Sequence, residues 1–285
     1  MQFSEKFALE NSPFFTPSDF RETLDGGQSF RWKEIAKNAF EGVFEDVASR
    51  LILEQNGRVS AQILKGADKK TAAKKIAEFL DSGRDYQAIT KSHPDPRVRA
   101  AAKKFPTLRI LRQTPREAII CFICSSSKRI VQIKQCVGYL AEYLGDEIAP
   151  GFHALPSFEK IARASDEVLK SCKLGFRAAY LKKTAQKILS DKFDPENLRE
   201  MPYADAKKYL LTLSGVGEKV ADCILLFGAA KFEAFPVDTW ISKSMASLYN
   251  LKSPKESRAF AAAKFGKNAG YIQQLLFADI RGSNP

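Results

Sequence analysis

Four residues, Ser214-Gly215-Val216-Gly217, constrain this chain more than any other stretch, because they separate two segments of helical spacing, Tyr203 to Leu213 and Glu218 to Phe227. Paired glycines reach backbone conformations that a side chain forbids, so the two helices can fold back on each other. Residues 203–227 therefore read as a helix-hairpin-helix. A tight turn that feeds a helix exposes backbone amides at the positive end of the helix dipole, which makes Gly215 and Gly217 candidate phosphate-binding positions. Such a grip reads no base sequence. An ordinary helical hairpin with a glycine turn is the plainer alternative.

Lys219 lies in the first turn of the second helix. The dipole there disfavours a cation, and partial burial lowers an amine toward a usable nucleophile, one that can attack a sugar carbon and form a Schiff base. Cys223, four residues on, shares its face of the helix. Beyond that helix, Pro236-Val237 presents Asp238 just before the helical stretch Ile241 to Tyr249. Asp is a favoured N-cap at such a place. A carboxylate held by helix-end amides also keeps its charge, and can stabilise a developing oxocarbenium ion or accept a proton.

Composition narrows the partners. Lys and Arg number 45 against 33 acidic residues, a formal charge of +12 that favours a polyanion. No apolar run approaches the roughly 20 residues of a membrane span, and the first twelve residues lack a signal-peptide core, so a soluble, cytoplasmic protein is expected. The five cysteines, Cys121, Cys124, Cys136, Cys172 and Cys223, are odd in number and sit mostly in apolar surroundings, which favours free thiols. Cys121 and Cys124 have zinc-like spacing, but His93 and His153 are the only histidines, so neither a metal nor a cofactor is expected. The same scarcity argues against Ser-His hydrolysis.

From Phe3 to about Leu64 the chain alternates like an antiparallel sheet, with Asn56-Gly57 as a hairpin turn. Helical spacing starts beyond Ala67 and dominates after residues 105–112, giving an N-terminal antiparallel sheet domain over 1–108 and a helical region over 109–285. The expected class is α+β, a sheet domain with helices followed by two mostly helical lobes. Residues 114–145 and 157–173 each read as a helix, the first entered through Thr114-Pro115 with Glu117 as its capping partner, and Ser165 marks a further helix entry. Residues 282–285 read as a frayed tail.

The run Leu213 to Cys223 followed by Pro236-Val237-Asp238 resembles the helix-hairpin-helix glycosylase superfamily, and within it the 8-oxoguanine DNA glycosylase/AP lyases. Gly27-Gln28-Ser29-Phe30-Arg31-Trp32, Leu174-Gly175-Phe176-Arg177-Ala178, Ala269 to Gln273 and Leu276-Phe277-Ala278 extend the resemblance over nearly the whole chain. Iron-sulfur relatives carry a four-cysteine cluster after the aspartate, whereas no cysteine follows Cys223 here.

The resemblance implies a bifunctional DNA glycosylase/AP lyase: a nucleotide flipped out of duplex DNA, Lys219 attacking C1′ and forming the Schiff base that permits β-elimination, and Asp238 as the second catalytic group. It further implies that the Gly27 carbonyl accepts the N7 proton that distinguishes 8-oxoguanine from guanine. Phe277 and Cys223 would cover the two faces of the base, and Gln273 would bond its Watson-Crick edge. Arg177 would read the orphaned cytosine, beside Phe176 where a Tyr wedge is usual. Ser127 and Gln132 stand in place of an Asn and a second cytosine-reading Arg, and Trp240 in place of a His, which implies a prokaryotic-type member with relaxed partner choice; that it is a monomer is implied only by the family's habit. A glycosylase for alkylated bases and a non-catalytic DNA-binding protein are the alternatives.

Overall fold

The computed structural model describes residues 3–282; of the tail expected over 282–285, Gly282 ends the last helix and the rest lies outside the described residues. Strands β1 (Phe7–Ala8), β2 (Trp32–Ala36), β3 (Ala39–Phe44), β4 (Val47–Leu53) and β5 (Val59–Ile63) form one antiparallel sheet in the order β1-β5-β4-β3-β2. The β4–β5 turn falls where Asn56-Gly57 predicts it. Gly57 donates to the Glu54 carbonyl at 2.9 Å and holds φ at +76°, a conformation that favours glycine.

Helix α1 (Pro17–Asp25) interrupts the stretch read as sheet. Its signal was present, since Thr16 accepts from the Asp19 amide and Pro17 takes the first helical position, the same pattern as Thr114-Pro115. Phe20 and Leu24, four residues apart, turn into a core with Trp32, Phe40 and Leu51. Helix α2 (Lys69–Phe79), capped by Asp68, adds Ile76 and Phe79, whose ring stacks on Phe44 with centroids 4.6 Å apart.

The rest is chiefly helical: α3 (Tyr86–Thr90), α4 (Pro96–Lys104), α5 (Pro115–Cys124), α6 (Ile130–Leu144), α7 (Phe158–Arg163), α8 (Asp166–Ser171), α9 (Arg177–Ser190), α10 (Tyr203–Leu210), α11 (Glu218–Ala229), α12 (Thr239–Tyr249), α13 (Pro254–Lys264) and α14 (Ala269–Gly282). A small pair, β6 (Glu147–Ala149) and β7 (Phe152–His153), is too short to show a period in sequence. The stretch 114–145 is two helices, not one, broken at Ser125–Arg129 where Ser127 adopts φ +53°. The stretch 157–173 likewise breaks before Ser165, which caps α8. Glu117 does not complete a capping pair: its carboxylate is buried and accepts the Glu45 amide at 3.0 Å.

Helix α11 is buried from Val220 to Ala229, the mark of a helix surrounded by other elements. It crosses α5 closely, since a Cβ at Gly228 would stand 2.7 Å from that of Ala118. The sheet core and this helical core are joined through Gln28, which is wholly buried. Its amide donates to the Arg109 carbonyl at 2.8 Å and accepts the Leu111 amide at 2.9 Å, while Gln113 donates to its backbone carbonyl at 2.7 Å. Gln28→Ala strands a buried donor and acceptor and is expected to cost about 2–4 kcal/mol. Urea unfolding checks this, as a lower midpoint at an unchanged slope.

Candidate active site

The start of α11 projects from the helical core into a cleft of about 840 Å³. Its walls come from the Gly27 loop, the Ser125–Arg129 break, the hairpin, the Asp238–Trp240 segment and α14. The helix-hairpin-helix forms as expected, with α10 ending at Leu210, earlier than its spacing indicates. Gly215 turns at φ +80° and Gly217 caps α11. The two helices are cross-linked by Lys207, which lies 2.8 Å from both Asp222 and Glu218, and by Tyr203, whose hydroxyl donates to Asp222 at 2.6 Å. Burial pushes the Asp222 carboxyl up although these partners pull it down.

Lys219 is half-buried, its Nζ donating to Ser125 Oγ at 3.4 Å and standing 5.7 Å from the Phe122 ring centre. Asp238 caps α12, accepting the Ile241 amide at 2.8 Å. Cys223 is buried, and burial pushes its thiol up to about 11, with Lys219 opposing and Asp238 reinforcing that rise. Lys219, Cys223 and Asp238 all line this cleft, the first two on the face that their i, i+4 spacing specifies.

Gly27 enters the opposite wall at φ +95°, and a Cβ there would lie 3.2 Å from Ile130 Cδ1. Gln273 and Gln274 are buried in the wall made by α14, and Gln273 Oε1 and Gln274 Nε2 have no protein partner. Phe277 is half-buried one turn beyond Gln273. The Arg281 guanidinium sits 5.3 Å from its ring centre and donates to the Gly26 carbonyl at 2.8 Å, tying α14 to the Gly27 loop. Ser125 and Arg281 went unmarked in sequence. Arg281 had one signal, its place four residues after Phe277.

The remaining candidates lie in and beside the cleft. Arg177 is buried, its Nε donating to the Ser126 carbonyl at 2.7 Å and its Nη1 to the Leu174 carbonyl at 3.2 Å, so its guanidinium is engaged inside the protein. Gln132 is exposed, and its carbonyl accepts the Arg129 amide at 3.1 Å at the start of α6. Neither lines the cleft, whereas Ser127 and Trp240 do. Phe176 stands 58% exposed before α9. No cluster of three metal-ligating side chains occurs among the described residues.

A family model described as the N-terminal domain of 8-oxoguanine DNA glycosylase matches residues 15–119, and one described as HhH-GPD superfamily base excision DNA repair protein matches residues 120–267. The chain belongs to the 8-oxoguanine DNA glycosylase family of that superfamily. It is 31% identical to the N-glycosylase/DNA lyase OGG1 of Arabidopsis thaliana over 90% of this chain and 75% of that protein. It is 28% identical to the N-glycosylase/DNA lyase of Saccharomyces cerevisiae over 92% of this chain and 83% of that one. Its fold overlays the Clostridium acetobutylicum 8-oxoguanine glycosylase/lyase, solved with duplex DNA containing cytosine opposite 8-oxoguanine, at a TM-score of 0.87, with 30% identity and 100% of both chains covered. Membership in this family and the cleft rest on independent grounds, sequence similarity and geometry.

A thiol held at about 11 leaves about one Cys223 in a thousand ionised at pH 8. Iodoacetamide at that pH is expected to leave Cys223 unmodified in the native protein and to alkylate it in urea, as read by peptide mass spectrometry.

Proposed function

We propose that this chain excises 8-oxoguanine from duplex DNA and then cleaves the abasic strand, using Lys219 as nucleophile. The observation that carries the reading is that Lys219, Cys223 and Asp238 line one cleft large enough for a nucleobase.

Backbone amides at Gly215 to Gly217 hold a phosphate beside the damaged nucleotide, which turns out of the stack into the cleft. The Lys219 amine attacks C1′ as the bond to the base breaks, and the base departs with the bonding electron pair and gains a proton. Loss of the amine proton and opening of the sugar give a Schiff base. Removal of a C2′ proton then expels the 3′ phosphate, and hydrolysis of the imine frees the lysine. The Asp238 carboxylate, fixed by the Ile241 amide, stabilises positive charge developing on the sugar.

The Gly27 carbonyl accepts N7–H from the oxidised base, a proton that guanine lacks. Gln273 Oε1, buried without a partner, is suited to accept from the Watson-Crick edge. Phe277 and Cys223 enclose the two faces. Pairing of the Arg177 guanidinium with protein carbonyls and of Gln132 with its own helix start supports loose reading of the opposite base, at most the roughly 1–3 kcal/mol of one base contact. We assign the boundary between a sheet domain and a helical region to residue 108, although the two buried cores interleave there: Tyr86, Val98 and Ala101 pack into the helical core and Leu111 into the sheet core. We further propose a prokaryotic monomer acting on chromosomal DNA in the cytoplasm. No helix among the described residues is long and apolar enough to cross a membrane.

Single-turnover assays on duplexes with 8-oxoguanine opposite each of the four bases test the reading. Lys219→Gln is expected to lose base release and strand cleavage together, by on the order of 10³-fold or more, and Asp238→Asn to lose on the order of 10²-fold. Base release that survives in Lys219→Gln, with strand cleavage lost, would instead indicate a water nucleophile.

A further inference from the structure

We propose that Tyr180 is a positioning residue that couples the phosphate-gripping hairpin to the exposed Phe176, so that backbone binding and entry of Phe176 into the duplex occur as one event. This rests on the DNA-repair reading above.

Phe176, Tyr180 and Thr184 are spaced by four and share one face at the start of α9. The face is occupied by the hairpin along two consecutive turns. Thr184 Oγ1 donates to the Ser214 carbonyl at 2.9 Å, and the Tyr180 ring lies so close to Gly215 that a Cβ there would meet Tyr180 Cδ2 at 2.7 Å. Gly215 therefore serves two needs, its φ of +80° and the space taken by this ring. On its other side Tyr180 meets Phe176 edge-on, with centroids 5.6 Å apart and planes at 75°. Phe176 is also covered by the Arg177 guanidinium, 4.2 Å from its ring centre.

These two aromatics remain 58% and 38% exposed, beside the amides that would hold a phosphate. An apolar ring at such a place can enter a base step and unstack it. Its reach depends on where the backbone is gripped. Tyr180 fixes that relation, because it touches both the ring that enters and the turn that grips, and Phe176 cannot tilt toward the hairpin without displacing it.

A double-mutant cycle tests the coupling, with 2-aminopurine placed beside 8-oxoguanine to report base opening by stopped-flow fluorescence. Tyr180→Ala and Phe176→Ala are each expected to slow opening by about tenfold, and the double variant by about the same factor, because each removes one shared device. Tyr180→Phe is expected to open the duplex at the wild-type rate, since the ring is what packs. Additive losses, a normal rate in Tyr180→Ala, or a slow Tyr180→Phe would each overturn the coupling. Strand cleavage at a preformed abasic site, followed in parallel, separates the two levels. Wild-type protein inactive on that substrate would sink the repair reading itself, whereas active protein with an additive cycle would sink the coupling alone.

Discussion

The side-chain amide of Gln28 is the joint on which the geometry of the cleft depends. It spends its donor and its acceptor on the extended segment 109–113, and its own carbonyl is held by Gln113. The Gln113 amide in turn donates to the Phe227 carbonyl of α11 at 2.8 Å. A continuous hydrogen-bonded path thus runs from the residue next to Gly27 to the helix that carries Lys219. In a close-packed interior such a path fixes relative positions tightly, and Gly27 and Lys219 are held in the walls of one cleft as a consequence.

Placement of Lys219 follows from a second constraint. Helix α11 is buried on every side after its first turn, with Asp222 its one charged residue there, so the core holds it and only its beginning emerges. That beginning carries both the amides suited to a phosphate and the Lys219 amine. The buried Lys207–Asp222 contact locks α10 beside it, and loss of one partner there would leave an uncompensated charge. Opposite, α14 supplies Gln273, Phe277 and Arg281, the last binding the Gly26 carbonyl and so closing the ring of elements around the cleft.

Much of this was legible in the sequence because the signals were local. The hairpin glycines, the Asp238 cap and the Asn56-Gly57 turn each depend on a few adjacent residues, and all three took the expected form. Helix α1 carries the same kind of signal in Thr16-Pro17, masked by the alternating stretch around it. What sequence could not give were contacts made across long separations. The pairing of Arg177 with the Ser126 carbonyl, the turn of Glu117 toward Glu45 and the reach of Arg281 to Gly26 are set by packing, which no periodicity encodes. The break at Ser125–Arg129 belongs with them, since the surrounding residues keep helical spacing and only the tertiary fold selects the turn.

The assignment of Lys219 as the nucleophile stands or falls on where a reduced DNA adduct is attached. Sodium borohydride added during reaction with an 8-oxoguanine duplex should trap the imine, and protease digestion with mass spectrometry should find the added sugar remnant on the peptide that contains Lys219. An adduct on any other lysine, or on the chain's terminal amine, would contradict the mechanism while leaving the fold and the cleft as described.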